Sequence, residues 1–208
     1  MDGPILFKRL PEFISIIPSR YSKKSTQARW DEFAMCPAEE AKKLTALIVQ
    51  HSSSPLGFCH NDLLLENVVY NEKEDGVSFI DYEYGGNNHI MFDIANHFNE
   101  YAGMDIPLDF TNCPDDEYIK EWLVDYMAAY RPKAILSEDL LLDLCQEVRM
   151  FSLASHLIWG LWGLVQAEHS LIDYDFMAFA LARLSAFRRA WAEPHFINPL
   201  EKRRALFC

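Results

Sequence analysis

Positive charge is what this chain has least of. Nineteen lysines and arginines stand against thirty-one aspartates and glutamates, a formal net charge of −12. A nucleic-acid binder needs clustered Lys and Arg, so that class is excluded. A small cationic ligand suits the balance, as does plain solubility. Cysteines are few and unpatterned: Cys36, Cys59, Cys113, Cys145 and Cys208 form no CxxC pair. Such a set predicts reduced thiols in a cytoplasmic protein. The N-terminal run MDGPILFKRL lacks a basic region followed by a long apolar core, so no secretory signal is predicted. The most apolar window, Phe151 to Val165, carries His156 and two serines and is short for a bilayer span. It reads as a buried helix, and no transmembrane segment is expected. Internal repeats, low-complexity segments and compact metal-ligand spacings such as HExxH are absent from the sequence.

What is present suffices for one substantial core: 208 residues, half of them hydrophobic and 13% aromatic. Ile5 to Ile17 has apolar residues at helical spacing, with Pro11 as an interruption or first-turn residue. Pro18 to Cys36 is polar and reads as a surface connection. Pro37 opens a helix with Glu39 and Glu40 in its first turn, where the dipole favours acids. Further helices are expected from about Met91 to Tyr101, Asp115 to Tyr130, and Ser137 to about Ala167. A last one opens at Asp173 or Asp175 and stops at Pro194. Glu83 to His89, with Gly85-Gly86-Asn87-Asn88, reads as a loop. The expected architecture is therefore mainly α (α+β): about six helices and one small β-hairpin.

The chemistry concentrates between Phe58 and Tyr84. A polar cluster, His60-Asn61-Asp62 with Asn67, precedes the apolar run Val68-Val69-Tyr70. A turn-rich segment leads to a second run, Val77 to Ile80, that ends on Asp81. Two such runs around an Asn/Asp/Gly loop predict a hairpin whose outer ends bring Asp62 and Asn67 near Asp81. Two carboxylates and an amide at one sheet edge can position a hydroxyl and hold magnesium against phosphates. The spacing parallels that of protein kinases: an Asp, an Asn five residues on, and a metal-binding Asp after a hairpin. Downstream, Asp93, His97 and Glu100 share one helix face. Trp159 and Trp162 share another, where core packing and a cation-binding wall are both open readings.

Four stretches, CHNDLLLEN, FIDYEYGGNN, FDIANHFNEYAG and SHLIWGLWGLVQA, resemble in order the successive motifs of the choline/ethanolamine kinase family. The resemblance runs from about Leu6 to Phe187 and is nearer the ethanolamine branch. It implies a protein-kinase-like C-terminal lobe over residues 1–208, with its core at about 5–192 and a tail at 193–208. No match to the family's N-terminal lobe precedes Phe58. The implied activity is transfer of the ATP γ-phosphate to ethanolamine in phosphatidylethanolamine synthesis (the Kennedy pathway). By the same resemblance Asp62 is the catalytic base, and Asn67 and Asp81 are the Mg²⁺ ligands. His60, Asn61, Glu83, Asp93 and His97 are supporting residues, and Glu100, Trp159, Trp162 and Phe179 line the amine pocket. Expected partners are an amine alcohol and MgATP, with a homodimer or pairing to a full-length kinase compatible. Three alternatives stand beside this reading: a choline kinase, a catalytically silent amine- or partner-binding lobe, and a metallohydrolase using His60, Asp62, His89 and His97.

Overall fold

The computed structural model describes residues 3–192, so the expected Pro194 stop and the charged tail from Glu201 to Arg204 lie outside the described residues. Seven α-helices and four short strands follow one another along them: α1 (Ile5–Ile16), α2 (Lys24–Phe33), α3 (Pro37–His51), β1 (Leu56–Cys59), β2 (Val68–Asn71), β3 (Gly76–Phe79), β4 (Gly86–His89), α4 (Ile90–Asn99), α5 (Asp116–Tyr130), α6 (Glu138–His169) and α7 (Phe176–Trp191). The described residues are thus mainly α, as expected, with two small antiparallel sheets.

Two compact units share these elements, and the chain passes between them more than once. One unit holds residues up to Ser52, Gly103–Leu108 and the chain from Leu153; the other holds Ser53–Ala102 and Asp109–Ser152.

In the helical unit, Leu6, Leu10 and Phe13 of α1 and Leu44 and Ile48 of α3 are buried. These residues recur at three- and four-residue intervals, the spacing that puts them on one apolar stripe. Pro11 lies inside α1 and does not interrupt it. Two small residues govern packing in the second half of α6. A Cβ on Gly160 would lie 2.6 Å from Leu184 Cδ2, and one on Gly163 would lie 2.9 Å from Phe179 Cδ1. A methyl group would force the Leu184 side chain to move at Gly160 and would crowd the Phe179 ring and the Ala180 backbone at Gly163. Asp175 caps α7 by accepting from the Ala178 amide at 2.9 Å.

The surface connection expected between Pro18 and Cys36 contains α2, which corrects that reading. Its sequence, KSTQARWDEF, buries only Thr26, so there was no apolar stripe to see. Polar side chains from the same unit hold it instead. Arg29 Nη1 donates to Asp175 Oδ1 at 2.9 Å. Arg188 donates to the carbonyls of Phe33 and Ala34 at 3.0 and 2.9 Å, where the left-handed Ala34 ends the helix.

In the strand-bearing unit, β2 and β3 form the expected hairpin, with Val68 opposite Phe79 and Asn71 opposite Gly76. A second ladder was not expected: β1 pairs antiparallel with β4, Leu56 opposite His89 and Cys59 opposite Gly86. The Glu83–His89 loop is therefore in part a strand. Gly-Asn-Asn-His has poor strand propensity, and its pairing is set by β1 from outside the segment. Helix α4 begins directly after β4. Beyond it a single turn at Glu100–Ala102 closes at Gly103, whose φ of +71° suits glycine. Met91, Phe92, Ile94, Ala95 and Phe98 of α4 are buried, as are Ile119, Leu123 and Met127 of α5. Asp115 caps α5 by accepting from the Tyr118 amide at 2.9 Å.

Helix α6 has 32 residues. It is long and apolar enough to cross a membrane by length and composition, and 83% of its apolar window is buried inside the protein.

Candidate active site

The loop His60-Asn61-Asp62 leaves β1 and is gripped from behind by α4. Asp93, in the first turn of α4, accepts the His60 amide at Oδ2 (2.8 Å) and the Asn61 amide at Oδ1 (2.7 Å). Burial pushes the Asp93 carboxyl above its ordinary range, and the two amides, with the charges of His60 and His97, partly offset that. One turn further on, His97 Nδ1 lies 2.8 Å from the Leu63 carbonyl. Asp93 and His97 thus brace both sides of Asp62.

Asn61 takes a left-handed backbone conformation, φ +68°, and is buried. Its side-chain amide donates to the carbonyls of Cys59 (3.2 Å) and Tyr84 (2.9 Å). Its Oδ1 accepts from Asn88 Nδ2 of β4 at 2.8 Å. Asn96 Nδ2 reaches its backbone carbonyl at 3.3 Å. The strained conformation therefore persists through several simultaneous hydrogen bonds. Asn88 and Asn96 escaped the sequence reasoning. Asn96 lies inside a motif that had been singled out, whereas Asn88 lies in the segment read as a loop.

Asp62 is buried, 9% exposed. Its carbonyl accepts from Asn67 Nδ2 at 2.9 Å, which leaves Oδ1 as the acceptor end of the Asn67 amide. The Asn67 carbonyl accepts from the Ile80 amide at 3.0 Å, extending the β2–β3 ladder by one step. The next residue, Asp81, is exposed and left-handed at φ +60°. Asp is among the few non-glycine residues that tolerate this region. His60 Nε2 lies 2.8 Å from the Ile80 carbonyl, and its ring sits 4.6 Å from that of Tyr82. The hairpin thus gathers Asp62, Asn67 and the Ile80–Asp81 backbone at one end. Glu83 is exposed in the single turn Tyr82–Tyr84, and Glu100 is half-buried beyond α4.

Asn67 and Asp81 present amide and carboxylate oxygens, the donor chemistry that a hard cation such as Mg²⁺ takes. Among the described residues no group of three His, Cys, Asp or Glu could hold a metal ion. One ring nitrogen of each histidine of the hydrolase alternative lies against a backbone carbonyl: His60 Nε2 at Ile80, His97 Nδ1 at Leu63 and His89 Nδ1 at Ser54, the last at 3.1 Å.

The aromatic residues singled out in the sequence lie in the helical unit. Trp159 and Trp162 meet edge to face at 5.8 Å, and Trp162 meets Phe179 at 6.0 Å and Phe176 at 5.6 Å. Trp159 and Phe179 are buried and Trp162 is half-buried. Behind Phe179 the buried Arg183 guanidinium stands 5.9 Å from the ring centroid and donates to Ser155 Oγ at 2.8 Å.

The family model for choline/ethanolamine kinase matches residues 2–188 of this chain. The chain belongs to the choline/ethanolamine kinase family. Among its relatives is the ethanolamine kinase 1 of Mus musculus, 36% identical over 188 residues that cover 88% of this chain and 52% of that protein. An ethanolamine kinase of Drosophila melanogaster is 37% identical over 187 residues, 88% of this chain and 36% of that one. In structure, this family member is similar to the Plasmodium vivax ethanolamine kinase at a TM-score of 0.76 and 28% identity, over 94% of this chain and 50% of that one. A choline kinase from Cryptosporidium parvum shares the fold at a TM-score of 0.67, over 96% of this chain and 60% of that one. The fold is the protein-kinase-like one of these enzymes. The chain spans about half the length of the mouse relative, and less of the fly one.

Proposed function

We propose that this chain carries the catalytic and amine-binding residues of an ATP-dependent ethanolamine kinase. The reading rests on one observation above the others: the hairpin end where Asn67 bonds the Asp62 carbonyl and the Ile80 amide, with Asp81 next in line. The names of the relatives support ethanolamine as the acceptor.

In this mechanism Asp62 accepts the hydrogen bond of the ethanolamine hydroxyl and aims its oxygen at the γ-phosphorus. The new O–P bond forms as the bond to the β,γ-bridging oxygen breaks, ADP departs, and the hydroxyl proton passes to Asp62. Asn67 and Asp81 would hold Mg²⁺ through oxygen, and the ion would neutralise charge on the phosphate oxygens. Asp93 and His97 keep the loop from turning Asp62 away, with Glu83 as a neighbouring acid. Glu100 would supply negative charge for the ammonium, and Trp159, Trp162 and Phe179 are the aromatic residues that the resemblance assigns to amine binding. The enzyme would be a cytoplasmic one of phosphatidylethanolamine synthesis, and residues 1–208 a single kinase lobe.

A second reading has its own observation. Leu65, Val69, Val77, Phe79 and Ile80 are exposed along the hairpin, Leu65 by 76%. Such a patch suits a lobe that functions against another protein surface, a full-length kinase or a second copy. MgATP-dependent phosphorylation of ethanolamine and of choline by the 208-residue chain separates the readings. Turnover of ethanolamine that Asp62→Asn abolishes is expected. Preference for choline would move the chain to the choline branch, and no turnover by the folded chain would favour the silent lobe.

A further inference from the structure

The second ladder, β1–β4, has no place in the mechanism above, yet it carries one side chain to the catalytic loop. Asn88 lies opposite Gly57 in that ladder and is 1% exposed. Gly57 has no side chain of its own, and Ile90 packs against the place where one would stand. A residue buried to this degree is ordinarily apolar. Asn88 instead donates from Nδ2 to Asn61 Oδ1 at 2.8 Å, while its own Oδ1, among the described residues, is buried with no hydrogen-bond partner. A buried acceptor without a partner has lost its hydration with nothing in return. The donation from the other end of the same amide is the physical reason to retain it.

The donation reinforces the orientation of Asn61. The Asn61 side chain directs Nδ2 at two carbonyls, of Cys59 and Tyr84. Rotated by half a turn, the amide would point its oxygen at both. The two carbonyls already disfavour that flip, and Asn88, the donor at Oδ1, adds a third bond that the flipped amide would lose. With that orientation fixed, the side chain ties its own backbone to the β1 end and to the Tyr82–Tyr84 turn, and so holds φ in the left-handed region immediately before Asp62.

We propose that Asn88 is a positioning residue for Asp62, acting through Asn61, and that the β1–β4 ladder exists in part to deliver it. This rests on the kinase reading of the site. Asp93 holds the same loop by its backbone amides; Asn88 holds it by the Asn61 side chain, so the two contributions can be separated.

The test uses the full 208-residue chain with Asn88→Ala and Asn88→Asp, each also made in an Asn61→Gly background. Glycine takes the left-handed conformation at no steric cost and has no side chain to orient. Where the wild-type chain phosphorylates ethanolamine, Asn88→Ala should lower kcat 10- to 100-fold with KM for ethanolamine within about twofold. In the Asn61→Gly background it should add nothing, a coupling that a general loss of stability would not give. Equal effects in both backgrounds, or an unchanged kcat, overturn the proposal. Where the wild-type chain shows no turnover, its kinase activity fails as a reading, and amide hydrogen exchange decides the positioning claim. Asn88→Asp should then speed exchange of the Asn61 amide at least 10-fold more than that of the Asn87 amide in the ladder. Uniform acceleration, or none, overturns it.

Discussion

Asp93 holds Asn61 by its backbone: Oδ1 accepts the Asn61 amide at 2.7 Å, in a conformation the residue would seldom adopt alone. The other oxygen takes the amide of His60. Asp93→Asn keeps the shape but turns an NH₂ toward one of these donors. A loss of roughly 1–3 kcal/mol is expected, the cost of one buried donor left without an acceptor. Urea denaturation of the two proteins measures it, and equal midpoints would remove Asp93 from its bracing role.

Acidification should unfold the chain from the histidine side. Burial lowers the pKa of His89 and lowers that of His156 further, the latter helped by Arg183 and Arg189. A histidine with a lowered folded pKa gives stability that is complete above its unfolded value, near 6.5, and that is lost as pH falls toward the folded one. Asp93 has the opposite sign. Its raised carboxyl favours the fold below the ordinary carboxylate range, and the contribution is lost as pH rises through the raised value. Urea midpoints should therefore drop between about pH 6.5 and 5, and His156→Gln should flatten that drop. An unchanged slope in the variant would exclude His156 as its source.

Gly163→Ala should destabilise by about 1–3 kcal/mol, because its Cβ would meet both the Phe179 ring and the Ala180 Cα at 3.2 Å, and a backbone atom cannot step aside. The same crowding presses Phe179 toward Trp162. Thermal unfolding and tryptophan emission report the two effects, and a melting temperature equal to wild type would show that α7 can shift.

Glu100→Gln removes one negative charge and keeps the side-chain volume. If Glu100 supplies charge to the ammonium as proposed, KM for ethanolamine should rise roughly 10-fold while kcat changes little, since about 1.4 kcal/mol is a factor of ten. A fall in kcat at constant KM would place Glu100 in the transfer step instead.

Burial drives the Cys59 thiol up to about 12, with the Asp93 charge adding to it. The thiol should resist iodoacetamide at pH 8 in the folded chain, while exposed Cys36 reacts first. Peptide mass spectrometry after timed labelling would show the order, and early labelling of Cys59 would mean that β1 opens readily.

How far the sequence led depended on where the determining contact lay. The β2–β3 hairpin was legible because Val68-Val69-Tyr70 and Val77-Ser78-Phe79 carry their own signal and the turn lies between them. The caps at Asp115 and Ser137 were legible for the same local reason, and Asp175 was one of two candidates for α7. Helix α2 was not, since Arg188 and Asp175, far along the chain, supply what an apolar stripe would have announced. Strand β4 was hidden because Gly86–His89 becomes extended only against β1. The site divides the same way. Asp62, Asn67 and Asp81 stand at a readable spacing, while Asn88 depends on a register that no short window contains.

The β1–β4 ladder also fixes an order of events. Its end pair, Cys59 and Gly86, closes a loop containing the HND motif, the whole β2–β3 hairpin and Asp81. Hairpins form in about 1–10 μs from neighbouring residues, whereas closure of a longer loop must first meet its entropy cost. The hairpin can therefore assemble early and by itself, and the arrangement around Asp62 is complete only when the longer loop shuts. In reverse, a local opening of that ladder removes the Asn88 hold on the HND loop while the hairpin survives, so the proposed phosphoryl-transfer centre is a separately loosened part of the fold.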